Sequence, residues 1–308
     1  MKAIRFDRFG GPEVLHLADI PAPIPGAGEV LVEVHAASIN PADCKGRAGA
    51  YGSGRDVALP HIPGRDFSGV VTAVGPGVTE FKPGDEVYGV VEADKESTQA
   101  EMAVVPASII APKARNVSHT EMAAIALGAL TALIALDDTA QVKPGEILLI
   151  HGGAGGVGGM GVQIGRHLGA RVISTASGRN HDYVKSLGAI EAIDYTREDF
   201  TRMGRRCDVV FDTVGGEVQA RSPAVLKPSG RLAYVTRGPK DFTPPGDIRM
   251  LRPNVTRERR HLERVTALVE QGAIRPPAIE TMPLADAAKA HIKSETGHVR
   301  GKIVLTIR

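Results

Sequence analysis

A glycine-rich turn between a predicted strand and a predicted helix constrains the fold more than any other feature. Residues 153–158 read Gly-Ala-Gly-Gly-Val-Gly and match the pattern G-x-G-x-x-G. An apolar run at 147–150 precedes the turn, a helix is predicted for about 157–169, and a second strand is predicted for 171–175. Glycines leave room for a pyrophosphate against the main chain, where the N–H groups of the helix N-terminus can bind it. The pattern predicts a dinucleotide-binding βαβ unit; the alternative is a glycine-rich turn without a ligand.

The rest of the chain divides into two kinds of pattern. Short β-branched runs at 30–35, 70–74 and 86–91 are separated by Gly/Pro turns, which indicates a small barrel-like domain. From about residue 120, apolar runs alternate with helical stretches, which predicts a parallel sheet with both faces covered. Those runs lie at 147–150, 171–174, 192–194, 208–212 and 232–235. A helix is predicted for 256–271 and a terminal strand for 302–307.

Composition and charge argue against several classes of function. The 308 residues include 37 Lys+Arg and 35 Asp+Glu, and this balance is not typical of a nucleic-acid-binding protein. Cys44 and Cys207 are too few for a disulfide scaffold or a four-cysteine zinc site. The N-terminus does not resemble a signal peptide, and the apolar stretch 122–136 is too short for a membrane span. We therefore expect a cytoplasmic protein without a nucleic-acid or membrane partner.

Many short motifs, in the right order, resemble the medium-chain dehydrogenase/reductase superfamily, specifically its zinc-independent quinone oxidoreductase branch. The motifs lie at 37–43, 63–71, 74–78, 81–87, in the glycine turn, and at 193–195, 212–216 and 298–305. The resemblance covers nearly the whole chain. It implies an α/β protein with a GroES-like β-barrel domain (1–115 and 276–308) and a Rossmann doubly wound parallel-sheet domain (116–275). It also implies an active site in the cleft between the domains and, as in many relatives, a homodimer.

The resemblance indicates whether this chain can bind zinc as its zinc-dependent relatives do. Zinc-dependent relatives carry a cysteine where this chain has Asn40, and Gly-His-Glu where it has Gly64-Arg65-Asp66. Arginine cannot ligate a metal because its guanidinium has no free lone pair. We therefore expect no metal site. The implied reaction is hydride transfer to a quinone or an α,β-unsaturated carbonyl, a conjugated acceptor that spreads the incoming charge itself.

The resemblance implies three residues at the acceptor site. Asn40 has an amide that could donate to a carbonyl oxygen, and the alternative is that it only caps the turn before Pro41. Tyr51 could donate a proton or a hydrogen bond, and the alternative is an aromatic side chain in a flexible glycine-containing loop. Thr131 could contact the nicotinamide or the substrate, and the alternative is a hydroxyl bonded to its own helix.

The cofactor site is predicted around the glycine turn. Its predicted residues are Gly152, Gly153, Ala154, Gly155, Gly156, Val157 and Gly158, with Val214 and Val235 after later strands. An NAD-preferring site normally has an acidic residue at the end of the second strand. Here Ser177 and Arg179 occupy that stretch, and a guanidinium suits the 2′-phosphate of NADPH.

NADPH is therefore favoured over NADH, and the alternative is that Arg179 is an ordinary surface residue. Asn180 departs from the family, which often has lysine there, and this weakens the argument for NADPH. The resemblance adds Tyr195 beside the adenosine phosphate, with edge-strand packing as its alternative. Two other functions stay open: a 2-enoyl-thioester reductase, and an NADPH-binding sensor or structural protein without significant turnover.

Overall fold

The computed structural model describes residues 1–50, 57–92, 95 and 97–308. Tyr51 lies outside the described residues. The described chain forms two units, each with a sheet of its own. The first comprises Met1–Leu127, Arg257–Gln271 and Arg275–Arg308, and the second comprises Gly128–Thr256 and Gly272–Ile274.

The strands are β1 (Lys2–Arg5), β2 (His16–Asp19), β3 (Glu29–Ser38), β4 (Asp66–Val74), β5 (Glu86–Val90), β6 (Met102–Pro106), β7 (Ile110–Pro112), β8 (Ile147–His151), β9 (Arg171–Ala176), β10 (Glu191–Asp194), β11 (Cys207–Asp212), β12 (Leu226–Tyr234), β13 (Arg249–Leu251), β14 (Ile279–Pro283) and β15 (Lys302–Thr306). The α-helices are α1 (Pro41–Arg47), α2 (His119–Leu133), α3 (Gly156–His167), α4 (His181–Leu187), α5 (Glu217–Arg221), α6 (Arg259–Glu270) and α7 (Ala287–Glu295). Short 3₁₀ helices cover Pro12–Val14, Ala107–Ile109, Gly178–Asn180, Phe200–Met203, Ser222–Val225 and Leu284–Asp286, and a π-helical stretch covers Ile134–Thr139.

The first unit is built on a mostly antiparallel seven-stranded sheet. Its order is β14-β15-β3-β4-β5-β7, with β6 also paired to β3, and only β14 and β15 run parallel. Alternate residues of β3, namely Val30, Val32 and Val34, point into a core that includes Phe67. The period-2 pattern in the sequence therefore correctly predicted which face is buried.

Helix α6 belongs to the first unit, whereas the sequence placed it within the Rossmann segment 116–275. The Tyr88 hydroxyl donates to the Leu262 carbonyl at 2.6 Å, and Arg259 forms an ion pair with Glu80 at 3.3 Å. The other end of that segment also differs, because the first unit runs to Leu127. An amphipathic pattern shows that a helix covers a core, but not which core it covers.

The second unit is a parallel sheet of six strands in the order β10-β9-β8-β11-β12-β13. Counted within the unit, this is the 3-2-1-4-5-6 order of dinucleotide-binding sheets. The strand order reverses between β8 and β11, and ligands of such sheets bind at the carboxyl ends of the strands at that point. The glycine turn directly follows β8, so the topology places it at the expected binding edge.

The predicted apolar helix at 122–136 forms the main part of α2. With the π-helical stretch that follows, residues 119–139 are apolar and long enough to cross a membrane by length and composition alone. Most of that stretch is buried inside the protein, with Met122, Ile125 and Leu130 fully covered. This burial is typical of a core helix of a folded domain.

Candidate cofactor and acceptor site

The glycine turn presents backbone N–H groups at the start of α3. Gly152 adopts a positive φ of 75°, and Gly155 is the N-cap residue, with no side chain to bond the first N–H groups of the helix. Those groups have no partner within the helix, and the helix dipole adds positive potential there. Gly155, Gly156 and Val157 are partly exposed. An anion such as a pyrophosphate can therefore reach this helix end.

The other residues of the turn are buried and set its shape. A Cβ atom on Gly153 would lie 1.9 Å from Ser174 Oγ, and one on Gly158 would lie 2.2 Å from the Gly152 carbonyl oxygen. Ala154 is also buried. Gly153, Ala154 and Gly158 therefore pack against the inside of the turn. Within the turn, the residues open to a ligand are Gly152, Gly155, Gly156 and Val157.

A buried hydrogen-bond chain beneath the turn was not predicted from the sequence. The Gly152 N–H donates to Thr175 Oγ1 at 3.1 Å, and the His151 ring contacts Thr175 Oγ1 at 3.3 Å and Ser222 Oγ at 3.1 Å. Burial lowers the pKa of His151 to about 3, so its ring is neutral at physiological pH. The position of His151, immediately before the turn, was the only sequence signal of this role.

The strands beyond the switch point bring Val214 and Val235 to the same edge of the sheet. A Cβ atom on Gly152 would lie 3.2 Å from Val214 Cγ2, and the Val235 N–H donates to the Asp212 carbonyl at 3.1 Å. The Asp212 carboxylate accepts the N–H groups of Val214 at 2.9 Å and Gly215 at 3.0 Å. Burial raises the pKa of Asp212, and those N–H bonds act in the opposite direction. Asp212 therefore holds the loop that carries Val214.

The predicted phosphate residues follow two neighbouring strands. Ala176 at the end of β9 pairs in register with Asp194 at the end of β10, so Ser177 and Tyr195 leave the sheet side by side. Tyr195 is 52% exposed, and Arg179 is exposed in the 3₁₀ turn after β9. The structure therefore brings Ser177, Arg179 and Tyr195 to one edge, with side chains accessible to a ligand.

Thr131 lies on α2 one turn after Gly128 and is buried. A Cβ atom on Gly128 would lie 2.9 Å from the carbonyl oxygen of Gly156, the first residue of α3. Residues three apart share a helix face. Thr131 therefore lies on the face of α2 that packs near the start of α3, and Gly128 is a contact that the sequence did not reveal.

Asn40 lies in the first unit, at the N-cap position of α1, and its carboxamide is held in a buried polar network. Asn40 Nδ2 donates to Asp66 Oδ1 at 3.1 Å and to the Ser38 carbonyl at 3.4 Å. Asn40 Oδ1 accepts a hydrogen bond from Lys302 Nζ at 2.6 Å. Both side-chain N–H groups are thus used inside the protein. The sequence led to the expectation that this amide donates to a substrate carbonyl. Such a bond would have to compete with the longer of these two, the one to the Ser38 carbonyl at 3.4 Å.

Comparisons with known proteins agree across the chain. Residues 26–115 match the family model described as alcohol dehydrogenase GroES-like domain, and residues 187–305 match the model described as zinc-binding dehydrogenase. The chloroplastic NADPH-dependent alkenal/one oxidoreductase of Arabidopsis thaliana is 34% identical, covering 99% of this chain and 79% of that protein. The quinone oxidoreductase structure from Coxiella burnetii is 37% identical, with a TM-score of 0.91, covering 100% of this chain and 99% of that one.

The Escherichia coli quinone oxidoreductase complexed with NADPH is 28% identical with a TM-score of 0.91, covering 100% of both chains. The chain belongs to the quinone oxidoreductase branch of the medium-chain dehydrogenase/reductase superfamily. The predicted combination of a GroES-like domain and a Rossmann domain is confirmed. As a member of this branch, the chain is an oxidoreductase.

At the positions where the resemblance places the zinc ligands of zinc-dependent members of the superfamily, the residues of this chain do not fit a zinc ion. Arg65 and Lys302 place cationic groups against the buried carboxylates of Asp43 and Asp66, at 4.0 Å and 3.9 Å respectively. A divalent cation here would have to displace a buried ammonium from Asn40. Among the described residues, no group of three or more His, Cys, Asp or Glu side chains is placed to hold a metal ion.

Cys44 is the other reactive residue type near Asn40. It is 5% exposed, and burial raises the pKa of its thiol to about 11, with Asp43 acting in the same direction. A thiolate is the nucleophilic form of cysteine, and it is disfavoured in these surroundings. Cys44 is therefore not suited to nucleophilic catalysis.

Proposed function

We propose that this oxidoreductase transfers hydride from NADPH to a quinone or an α,β-unsaturated carbonyl without zinc. The single observation that carries the proposal is the open glycine turn at the start of α3, at the switch point of the sheet. The relatives named above, an alkenal/one oxidoreductase and quinone oxidoreductases, support the same acceptor class.

The chain's own residues bind and orient the cofactor. The N–H groups of Gly156 and Val157 bind the pyrophosphate, since the Gly155 N–H already donates to the Gly152 carbonyl at 3.0 Å. Arg179 with Ser177 binds the 2′-phosphate that distinguishes NADPH from NADH. When bound, NADPH supplies the hydride. Val214, Val235 and Thr131 are proposed to position the nicotinamide ring, because they lie near the glycine turn and hydride transfer depends on how closely the ring approaches the acceptor.

The acceptor side is proposed to work without a metal ion. A conjugated acceptor spreads the incoming charge over its carbonyl, so it needs orientation and a dry site more than a Lewis acid. The cationic Lys302 and Arg65 near Asn40 support this proposal. They neutralise the buried carboxylates of Asp66 and Asp43, which would otherwise be available to bind a metal ion. Tyr51 stays a proposed hydrogen-bond donor to the acceptor. A cytoplasmic homodimer without nucleic-acid or membrane partners remains part of the proposal.

The test is NADPH oxidation, followed by absorbance, with a panel of acceptors. The panel contains 1,4-benzoquinone, 9,10-phenanthrenequinone, a short enone and crotonyl thioester, each with and without a chelator and with NADH in parallel. We expect chelator-insensitive turnover that prefers NADPH and accepts a quinone or the enone.

Three outcomes would overturn parts of this account. Turnover of crotonyl thioester alone would identify a 2-enoyl-thioester reductase. Loss of activity with the chelator would contradict the zinc-free mechanism. Tight NADPH binding without oxidation by any acceptor would identify a binding protein without significant turnover.

A further inference from the structure

A buried lysine connects the last strand of the chain to the segment that carries Asn40. Lys302 is the first residue of β15 and is only 6% exposed. Its Nζ donates to Asn40 Oδ1 at 2.6 Å and to the Ile39 carbonyl at 3.0 Å, and it faces Asp66 Oδ2 at 3.9 Å. Lysines are almost never buried without such partners. The cost of burying this ammonium indicates that its partners hold it in one place.

The ammonium fixes the orientation of the Asn40 carboxamide. An ammonium has donors only, so it can face the oxygen of the amide but not its NH₂ group. The NH₂ group is then turned toward the acceptor atoms Asp66 Oδ1 and Ser38 O. Rotation of the amide by 180° would place NH₂ against the ammonium and oxygen against the carboxylate. Lys302 and Asp66 together therefore exclude the flipped amide.

The charges of this buried cluster balance. The carboxylates of Asp43 and Asp66 face the cationic groups of Arg65 and Lys302. Burial lowers the pKa of Lys302, and the carboxylates of Asp66 and Asp43 act in the opposite direction. Neutralising Lys302 would leave a buried carboxylate without its compensating charge, and such a change is expensive inside a protein.

We propose that Lys302 is a positioning residue for the reduction reaction, acting through Asn40. Its ammonium holds the Asn40 carboxamide in one orientation and takes the place of a metal cation beside Asp66. This inference rests on the proposed function and on the resemblance, which implies that Asn40 lies at the acceptor site. Displacing a group by about 1 Å at such a site can cost roughly a hundredfold in rate.

The test compares Lys302→Met with Lys113→Met. Lys113 is a matched control: it is 8% exposed, and its Nζ donates to two backbone carbonyls and faces Glu86 at 3.4 Å. We expect Lys302→Met to lower kcat roughly tenfold to a hundredfold, with little change in NADPH affinity. Lys113→Met should leave kcat unchanged even where it lowers thermal stability by a similar amount. Equal kcat values for Lys302→Met and the wild type would overturn the proposal.

A double-mutant cycle separates positioning from general destabilisation. Asn40→Ala and the Asn40→Ala/Lys302→Met double variant complete it. If Lys302 acts through Asn40, removing Lys302 should lower kcat no further once Asn40 is absent, whereas independent effects would multiply. Multiplying effects on kcat would contradict the proposal. Lys302→Gln, which keeps an N–H donor without the charge, provides a second variant if Lys302→Met does not fold.

Crystal structures of Lys302→Met and Lys302→Gln give a readout that needs no turnover. The proposal predicts that the Asn40 carboxamide is displaced or takes more than one orientation once its Oδ1 loses the ammonium donor. An unchanged carboxamide would overturn it. If the wild type reduces no acceptor, the proposed function fails, and these structures still decide whether Lys302 positions Asn40.

Discussion

The hydroxyl of Ser174 occupies the space that a side chain on residue 153 would need. A Cβ atom on Gly153 would lie 1.9 Å from Ser174 Oγ, which donates to the Ile150 carbonyl at 3.1 Å. The glycine turn therefore packs directly against β9. Because the turn directly precedes α3, its packing against β9 determines the direction of the N–H groups at the start of that helix.

Gly153→Ala is expected to weaken NADPH binding at least tenfold, because the turn must move away from β9 to admit a methyl group. The dissociation constant is measured by titrating NADPH fluorescence. The Ser174→Ala change on the same background removes the nearest clashing atom, and the next contact is 3.0 Å, to the Cβ atom of residue 174. The double variant should regain part of the affinity. No recovery, or no loss in the single variant, would contradict this packing of the turn against β9.

Arg179→Ala is expected to lower the affinity for NADPH roughly tenfold or more while leaving the affinity for NADH unchanged. A hydrogen bond to a charged group contributes about 1.5–3 kcal/mol, and NADH lacks the 2′-phosphate that would receive it. The measurement is the ratio of the two dissociation constants. Arg202→Ala, an exposed arginine in the same unit, is the control and should leave the ratio unchanged. Equal losses for both cofactors would show that Arg179 does not contact the 2′-phosphate.

Because His151 is buried and neutral, we expect the protein to lose stability in mild acid. Its native pKa of about 3 lies below the ordinary value of 6.5, so between these values the unfolded chain binds a proton that the native protein does not. The contribution of neutral His151 to the free energy of unfolding is fully present above about pH 6.5 and falls as the pH drops toward 3. At pH 5, proton uptake by His151 in the unfolded chain lowers the free energy of unfolding by about 2 kcal/mol.

Urea unfolding of wild type and His151→Gln at neutral pH and near pH 5 measures this cost. The variant should lose about 2 kcal/mol less than the wild type on acidification. His167→Gln replaces an exposed histidine of the same unit and should behave like the wild type. The same acid loss in wild type and His151→Gln would show that His151 is protonated in the native protein.

The two thiols are expected to be unreactive in the folded protein. Burial raises the pKa of Cys44 to about 11 and that of Cys207 to about 12. Maleimide treatment at mildly alkaline pH should leave activity intact, and intact-mass measurement should show no adduct, whereas the urea-unfolded chain should gain two. Rapid alkylation of the folded protein would contradict the burial of the two thiols.

Local patterns were sufficient to predict the glycine turn and nine of the fifteen strands in the described part of the chain. They did not predict β1, β2, β6, β7, β13 or β14. The alternation Val30-x-Val32-x-Val34 and the run that became β8 depend on neighbours in sequence, and the structure confirms both. Which sheet α6 covers is set by Tyr88 and Glu80, far away in sequence, and no periodicity within the helix reports them.

The chemistry around Asn40 was less accessible from the sequence. Lys302 reaches Asn40 only because β15 pairs with β3 and returns the C-terminus to the first unit. The motif position identified Asn40, but its hydrogen-bond partners follow from this long-range pairing. For the same reason, the sequence did not reveal that both N–H groups of this amide are bonded within the protein.

The fate of deuterium from labelled NADPH shows whether the protein transfers hydride directly to the acceptor. Both diastereomers of cofactor deuterated at C4 of the nicotinamide are incubated with the protein and a short enone, and the product is examined by mass spectrometry and NMR. We predict that one diastereomer delivers its deuterium to the carbon β to the carbonyl and that the other delivers none. A reduced product without deuterium at that carbon from either diastereomer would contradict direct hydride transfer.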